Sequence, residues 1–116
     1  MILLTHPFFP AVIESELKSC RLPRRIARTR AEFERLAPQA TALIVRPTDK
    51  VPASLLQRCT QLKVIGNFAV GLDNLDLQAC ARLGVRVVHT PDVLTRATAE
   101  LTTTLLLCAA RRVPEG

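Results

Sequence analysis

The chain has 116 residues, 48% of them hydrophobic and only 3% aromatic, with no Trp or Tyr and a formal net charge of +6. That length suits one compact domain whose core must be built from Leu, Val, Ile and Ala. Arg21, Arg24, Arg25, Arg28 and Arg30 crowd one short stretch, but no aromatic residues interleave for base stacking, so a solvated face is a better reading than a nucleic-acid footprint.

Cys20, Cys59, Cys80 and Cys108 are far apart and form no C-x-x-C, which argues against a disulfide framework or a zinc site. Free cysteines on apolar helix faces behave as small hydrophobes, and a reducing, cytoplasmic setting suits them. The N-terminus has no basic region followed by a long apolar run, so no signal peptide is expected. The most apolar stretch, Leu101 to Ala110, is shorter than the ~20 residues a spanning helix requires.

In chain order, Ile2 to Thr5 is a short apolar run ended by His6-Pro7, and Pro10 opens a helix with Ile13, Leu17 and Cys20 on one face. Arg24 to Arg28 is a weaker strand. Thr29-Arg-Ala-Glu32 has capping-box spacing, and the helix it opens carries Phe33 and Leu36 and ends near Pro38. Thr41 to Val45 is a buried-strand candidate followed by a loop at Arg46-Pro47-Thr48-Asp49. Pro52 stands where a helix begins, with Leu55, Leu56 and Cys59 inward. Leu62 to Gly66 is the next strand and Asn67 to Asn74 the next loop. Asp76 to Leu83 is a helix closed by Gly84, a residue that accepts the left-handed conformation of a helix end. Val85 to Val88 is the fifth strand.

Strands alternating with amphipathic helices predict an α/β architecture: a flavodoxin-like, doubly wound, parallel five-stranded sheet. Thr90-Pro91-Asp92-Val93-Leu94-Thr95 is a crossover, with Thr95 as a candidate helix cap. Thr95 to Arg112 is then a long helix that no strand follows. Leu101, Thr104, Leu105 and Cys108 form one apolar stripe and Leu106, Ala99 and Ala110 belong to another. A helix apolar on most sides requires cover on most sides.

Asn67 to Asn74 is the loop of interest, at the carboxyl edge of a strand where ligands of open α/β sheets collect. Gly71 lets the backbone approach a ligand, and successive amides there can form an anion-binding concavity. The alternative is a plain turn with Asp73 or Asn74 as N-cap. Gly66 and Gly71 have the glycine spacing of a phosphate-binding loop, but Leu72-Asp73 stands where Lys-Ser or Lys-Thr is needed. No Gly-x-Gly occurs, so the dinucleotide fingerprint is absent. Arg46 at the same edge is either a bidentate carboxylate donor or an exposed loop arginine. His6 and His89 lack a partner at telling spacing and receive no catalytic role. Thr5-His6-Pro7 and Arg46-Pro47 stand where a phosphoacceptor receiver requires acidic residues, which argues against that reading.

The run from Leu62 to Gly116, with NFAVGLDN, TPDVLT and Thr98-Ala99-Glu100, resembles the D-isomer-specific 2-hydroxyacid dehydrogenases, and within them the glyoxylate and hydroxypyruvate reductase branch. The resemblance implies that residues 1–92 are a substrate domain. Residues 93–116 are then the hinge and first helix of a dinucleotide-binding domain. It implies hydride transfer between NAD(H) or NADP(H) and a small 2-keto or 2-hydroxy acid. By the same resemblance Val70 and Gly71 hold the substrate carboxylate, Arg46 contacts substrate and Thr98 lies close to the nicotinamide. A homodimer through the region of the long helix is implied as well. The family's catalytic arginine, glutamate and histidine map to no residue of this chain, so an inactive fragment that binds no cofactor tightly is expected. The other expectation is a non-catalytic interaction module that dimerises or docks through its apolar C-terminal helix.

Overall fold

The computed structural model of the chain describes residues 1–5, 11–19, 21 and 23–113. His6-Pro7, Pro10 and Cys20 lie outside them. The strands are β1 (Ile2–Leu4), β2 (Arg24–Ile26), β3 (Ala42–Val45), β4 (Val64–Asn67) and β5 (Arg86–Val88), all parallel, in the order β2-β1-β3-β4-β5. The helices are α1 (Ala11–Ser19), α2 (Arg30–Leu36), α3 (Ala53–Leu56), α4 (Leu77–Arg82) and α5 (Thr95–Ala110), with a 3₁₀ turn at Ala37–Gln39. This is the doubly wound sheet that the alternation of apolar runs and amphipathic segments implies.

Register explains which side chains meet. Leu3 pairs with Leu43, Leu43 with Ile65 and Ile65 with Val87, so these side chains line one sheet face. Phe33 and Leu36 of α2, Leu55 and Leu56 of α3, and Ala79 and Cys80 of α4 complete the core cluster there. Each large aliphatic side chain buried in this way contributes about 1.5–3 kcal/mol. With the core built from aliphatic and small residues plus Phe33, the low aromatic content limits nothing.

The local signals hold with some displacements. Thr29 caps α2, its hydroxyl accepting from the Glu32 amide at 3.2 Å. The Glu32 carboxylate, however, reaches the Arg28 amide at 2.9 Å, one residue before the cap. Arg30 pairs with Glu34 at 2.6 Å and lies over the Phe33 ring, while Arg24 and Arg25 are exposed on edge strand β2, as a solvated face requires. α3 is a single turn with Pro52 as its N-cap residue. Gly84 has φ +67°, the left-handed closure expected after α4.

Two caps differ from expectation. Asp76, not Asp73 or Asn74, caps α4, its carboxylate accepting from the Ala79 amide at 2.8 Å. Leu94, not Thr95, is the N-cap residue of α5, with no side-chain cap bond. The turn into α5 is made instead by Asp92 at φ +62°, with the Thr95 amide donating to the Asp92 carbonyl at 3.2 Å. Asp is among the few residues that adopt this conformation at low cost.

No residue of α5 is buried, and Leu101, Leu105, Leu106 and Leu107 are all about 60% exposed. The molecule is accordingly elongated, 58 × 31 × 24 Å. No helix among the described residues is long and apolar enough to cross a membrane.

Candidate functional site: a loop of free amides at the sheet edge

Parallel strands end together, so the loops after β3, β4 and β5 gather at one edge. The loop after β4, residues 67–74, is the centre of this cluster. Two buried asparagines brace it. Asn67 and Asn74 exchange side-chain amide bonds at 3.0 Å in both directions, and are 2% and 3% exposed. Asn67 Nδ2 also donates to the Gly71 carbonyl at 2.9 Å. Asn74 Nδ2 also donates to the Arg46 and Asp49 carbonyls at 3.0 and 3.2 Å. The Val51 amide donates to the Asn74 carbonyl at 2.8 Å. The loops after β3 and β4 are thus fastened into one unit.

Three consecutive carbonyls of the loop are each held. Ala69 O accepts from the Thr90 amide at 3.0 Å, Val70 O from His89 Nδ1 at 2.9 Å, and Gly71 O from Asn67 Nδ2 at 2.9 Å. No cis peptide is present, and in a planar trans peptide the N–H points opposite to the C=O. The N–H groups of Val70, Gly71 and Leu72 are therefore each directed away from the group that anchors the neighbouring carbonyl. Among the described residues none of these three amides donates to a backbone carbonyl, and the Asp73 carboxylate lies beside Gly71. Val70 and Gly71 are exposed. Oriented, unpaired amides in succession are the ingredients of an anion site.

Arg46 is half-buried beside this loop, and its guanidinium is directed at Asp49: Nε lies 3.3 Å from Oδ2 and Nη2 3.4 Å from Oδ1. Asp49 also accepts from the Arg46 amide at 2.9 Å and from the Thr5 hydroxyl. Burial pushes the Asp49 carboxyl up, but the Thr5 and Arg46 donors outweigh it and hold it below its ordinary value. Arg46 thus lies at the ligand edge already paired with a carboxylate.

Val70 and Thr98 line one open groove together with Leu94, Thr95, Ala99 and Thr102. Two of the residues singled out in the sequence are brought together there; Arg46 is not among the groove's walls. Cys59 and Cys80 are buried, and burial pushes both thiols up, which keeps them protonated packing residues. Among the described residues no cluster of His, Cys, Asp and Glu is arranged to hold a metal.

Sequence reasoning missed the braces. Asn67, Asn74 and His89 fasten the loop, yet their partners lie 4 to 28 residues away, and nothing in the local pattern predicts those contacts.

A family model described as D-isomer specific 2-hydroxyacid dehydrogenase, catalytic domain, matches residues 2–109. A glyoxylate reductase of Aeropyrum pernix is 47% identical over 80 residues, which are 69% of this chain and 24% of that protein. A D-3-phosphoglycerate dehydrogenase of Methanocaldococcus jannaschii is 34% identical over 115 residues, 99% of this chain and 22% of that protein. Among solved structures, a Thermus thermophilus protein superimposes with a TM-score of 0.81 at 37% identity, over 99% of this chain and 38% of its own. A D-lactate dehydrogenase from Aquifex aeolicus, complexed with NAD and lactic acid, gives 0.78 at 28% identity, over 93% and 33%. The chain spans roughly a quarter of the length of the curated relatives it matches.

Proposed function

The chain belongs to the D-isomer-specific 2-hydroxyacid dehydrogenase family, and on that premise we propose that it forms the substrate-domain portion of an NAD(P)-dependent reductase of small 2-keto acids, glyoxylate or hydroxypyruvate. Residues 1–92 would be the substrate domain, and residues 93–116 the hinge and first helix of a dinucleotide-binding domain. The observation that carries this reading is the row of anchored carbonyls at Ala69, Val70 and Gly71 with free amides at Val70, Gly71 and Leu72. A carboxylate accepts several N–H bonds at once, and such charge-assisted bonds are roughly twice as strong as neutral ones. The Val70 and Gly71 amides would hold the substrate carboxylate, so fixing which end of the keto acid faces the groove shared with Thr98. Arg46 would contact the substrate carboxylate only by exchanging its pairing with Asp49 for one with the substrate.

The chain's own residues do not form a dinucleotide cradle. No Gly-x-Gly is present, and α5 begins at Thr95 after an N-cap residue, Leu94, that makes no side-chain cap bond. Its contribution to a nicotinamide site is one groove wall at Thr98. Among the described residues the imidazole beside the loop is His89, whose Nδ1 is committed to the Val70 carbonyl, and we assign it to holding the loop. We therefore propose that the 116-residue chain is inactive by itself. The test is NADH and NADPH oxidation with glyoxylate or hydroxypyruvate at high chain concentration. No turnover is expected, and clear turnover would refute the assignment of these residues to binding alone.

One observation favours a second reading. α5 presents its leucines to solvent along its whole length, as an interaction module would. Sedimentation across a concentration series separates the two: a defined oligomer, abolished by Leu105→Glu with Leu106→Glu, supports docking through α5.

A further inference from the structure

We propose that His89 is a positioning residue for the anion-holding loop: its Nδ1–H fixes the Val70–Gly71 peptide so that the Gly71 amide faces the ligand. The inference rests on the carboxylate-binding reading of that loop. Its starting point is the 2.9 Å contact between His89 Nδ1 and Val70 O. A carbonyl oxygen only accepts, so the imidazole must carry its proton on Nδ1 here.

The Val70–Gly71 peptide is the member of the row that most needs such an anchor. Both flanking residues are exposed, with Val70 41% exposed, so packing does not hold the plane. Rotating a peptide by half a turn changes ψ of the residue before it and φ of the residue after it. When the residue after is glycine, the positive-φ alternative carries no Cβ penalty. A flip at Val70–Gly71 is therefore sterically cheap, and it would turn the Gly71 N–H away from a bound anion. The His89 bond opposes that flip directly. An acceptor bond on the carbonyl also polarises the peptide and strengthens its N–H as a donor.

The neighbouring peptides are secured differently. Ala69 O is held by the backbone amide of Thr90 and Gly71 O by the buried Asn67 side chain. Only the middle bond depends on a half-buried side chain at the end of β5. His89 lies directly before Thr90-Pro91, where the chain leaves the sheet for α5, so the anchor also joins the loop to the base of that crossover.

The experiment uses the full 116-residue chain, ¹⁵N-labelled. Long-range ¹⁵N–¹H spectra of the His89 ring should show the Nδ1–H tautomer; an Nε2–H tautomer overturns the proposal without any substitution. Glyoxylate is then titrated while the Val70, Gly71 and Leu72 amides are followed. His89→Ala should weaken binding about two- to tenfold, the worth of one hydrogen bond, with the amide pattern of the core unchanged. His89→Asn should restore it, because Asn Nδ2 stands the same number of bonds from Cα as His Nδ1. Equal affinity in His89→Ala, or no rescue by Asn, overturns the role of His89 while leaving the carboxylate site intact. No saturable shift at any of the three amides in the unaltered chain overturns the carboxylate site itself, and the role of His89 with it.

Discussion

Asn74→Asp is the sharpest probe of the brace beneath the loop, because it changes one atom. Asn74 Nδ2 donates to the carbonyls of Arg46 and Asp49 and to Asn67 Oδ1, at 3.0, 3.2 and 3.0 Å. An ionised aspartate turns that donor into a fourth oxygen facing three acceptor oxygens. The amide has two hydrogens to share among these three contacts, so at a net of about 1 kcal/mol per bond the loss is about 2 kcal/mol before any charge is considered. The carboxylate is also 3% exposed if it keeps the place of the amide, so burial raises its folded-state pKa above the unfolded value of about 3.9. The folded state then binds more protons than the unfolded state above that pH. Stability relative to the unaltered chain must therefore fall as pH rises from about 4 toward the folded-state pKa, by up to about 1.4 kcal/mol per pH unit. Asn74→Ala is the control: it loses the same donor but gains no charge, and its deficit should not grow with pH. The chain has no Trp or Tyr, so unfolding in urea is best followed by far-ultraviolet circular dichroism, at pH 4, 5.5 and 7. An Asn74→Asp deficit below about 1 kcal/mol at pH 7, or one that parallels Asn74→Ala at every pH, would refute the brace as the element holding the two loops together.

Asp49 titrates with the opposite sign. Its carboxyl is held below its ordinary value by Thr5 and Arg46 against the opposing effect of burial, so its contribution is present above the unfolded pKa of about 3.9 and is lost as pH falls through the folded value. Asp49→Asn should be less stable than the unaltered chain at pH 6, with the gap narrowing toward pH 2 in acid titrations; a gap independent of pH would contradict the Thr5–Asp49–Arg46 arrangement. Glycine replacements should separate conformation from space. Gly84→Ala, at φ +67° with nothing near the new methyl, should cost about 1–2 kcal/mol. At Gly66 an added Cβ would meet Leu43 O at 3.8 Å and Ile44 Cγ1 at 3.9 Å, ordinary contacts. Gly66→Ala should therefore be neutral or stabilise by a few tenths of a kcal/mol in urea titrations, and a large loss there would contradict the register of β3 against β4.

Much of this fold is legible in the sequence because its signals are local. Apolar runs of four or five residues, each followed by an amphipathic segment, are sufficient for a parallel sheet, and Gly84 marks a helix end by conformation alone. Caps were legible where one side chain satisfies one nearby amide, as at Thr29. Position failed where several polar residues compete. Asp73, Asn74 and Asp76 all stand before α4, and only tertiary contacts decide that Asp76 caps while Asn74 turns inward to Asn67 and the loop after β3. Thr95 is not the cap for a related reason: Asp92 makes the turn three residues earlier by adopting positive φ.

The loop itself shows why a candidate site is less legible than a fold. Its chemistry belongs to the backbone, and every residue type except proline carries the same N–H. What distinguishes residues 70–72 from any other exposed turn is that their carbonyl partners are taken while their amides are left over. That asymmetry is produced by three donors at two strand ends: Thr90 and His89 after β5, and Asn67 at the end of β4. Each is unremarkable in sequence, and His89 in particular has no catalytic partner at any telling spacing. Folding brings them to one edge because parallel strands end together, and the site exists only as the sum of those placements. The same reasoning limits what substitution of Val70 can reveal. Val70→Ala leaves its amide and carbonyl in place, so it should alter the groove shared with Thr98 far more than it alters carboxylate binding, whereas changes at His89 or Asn67 should do the reverse.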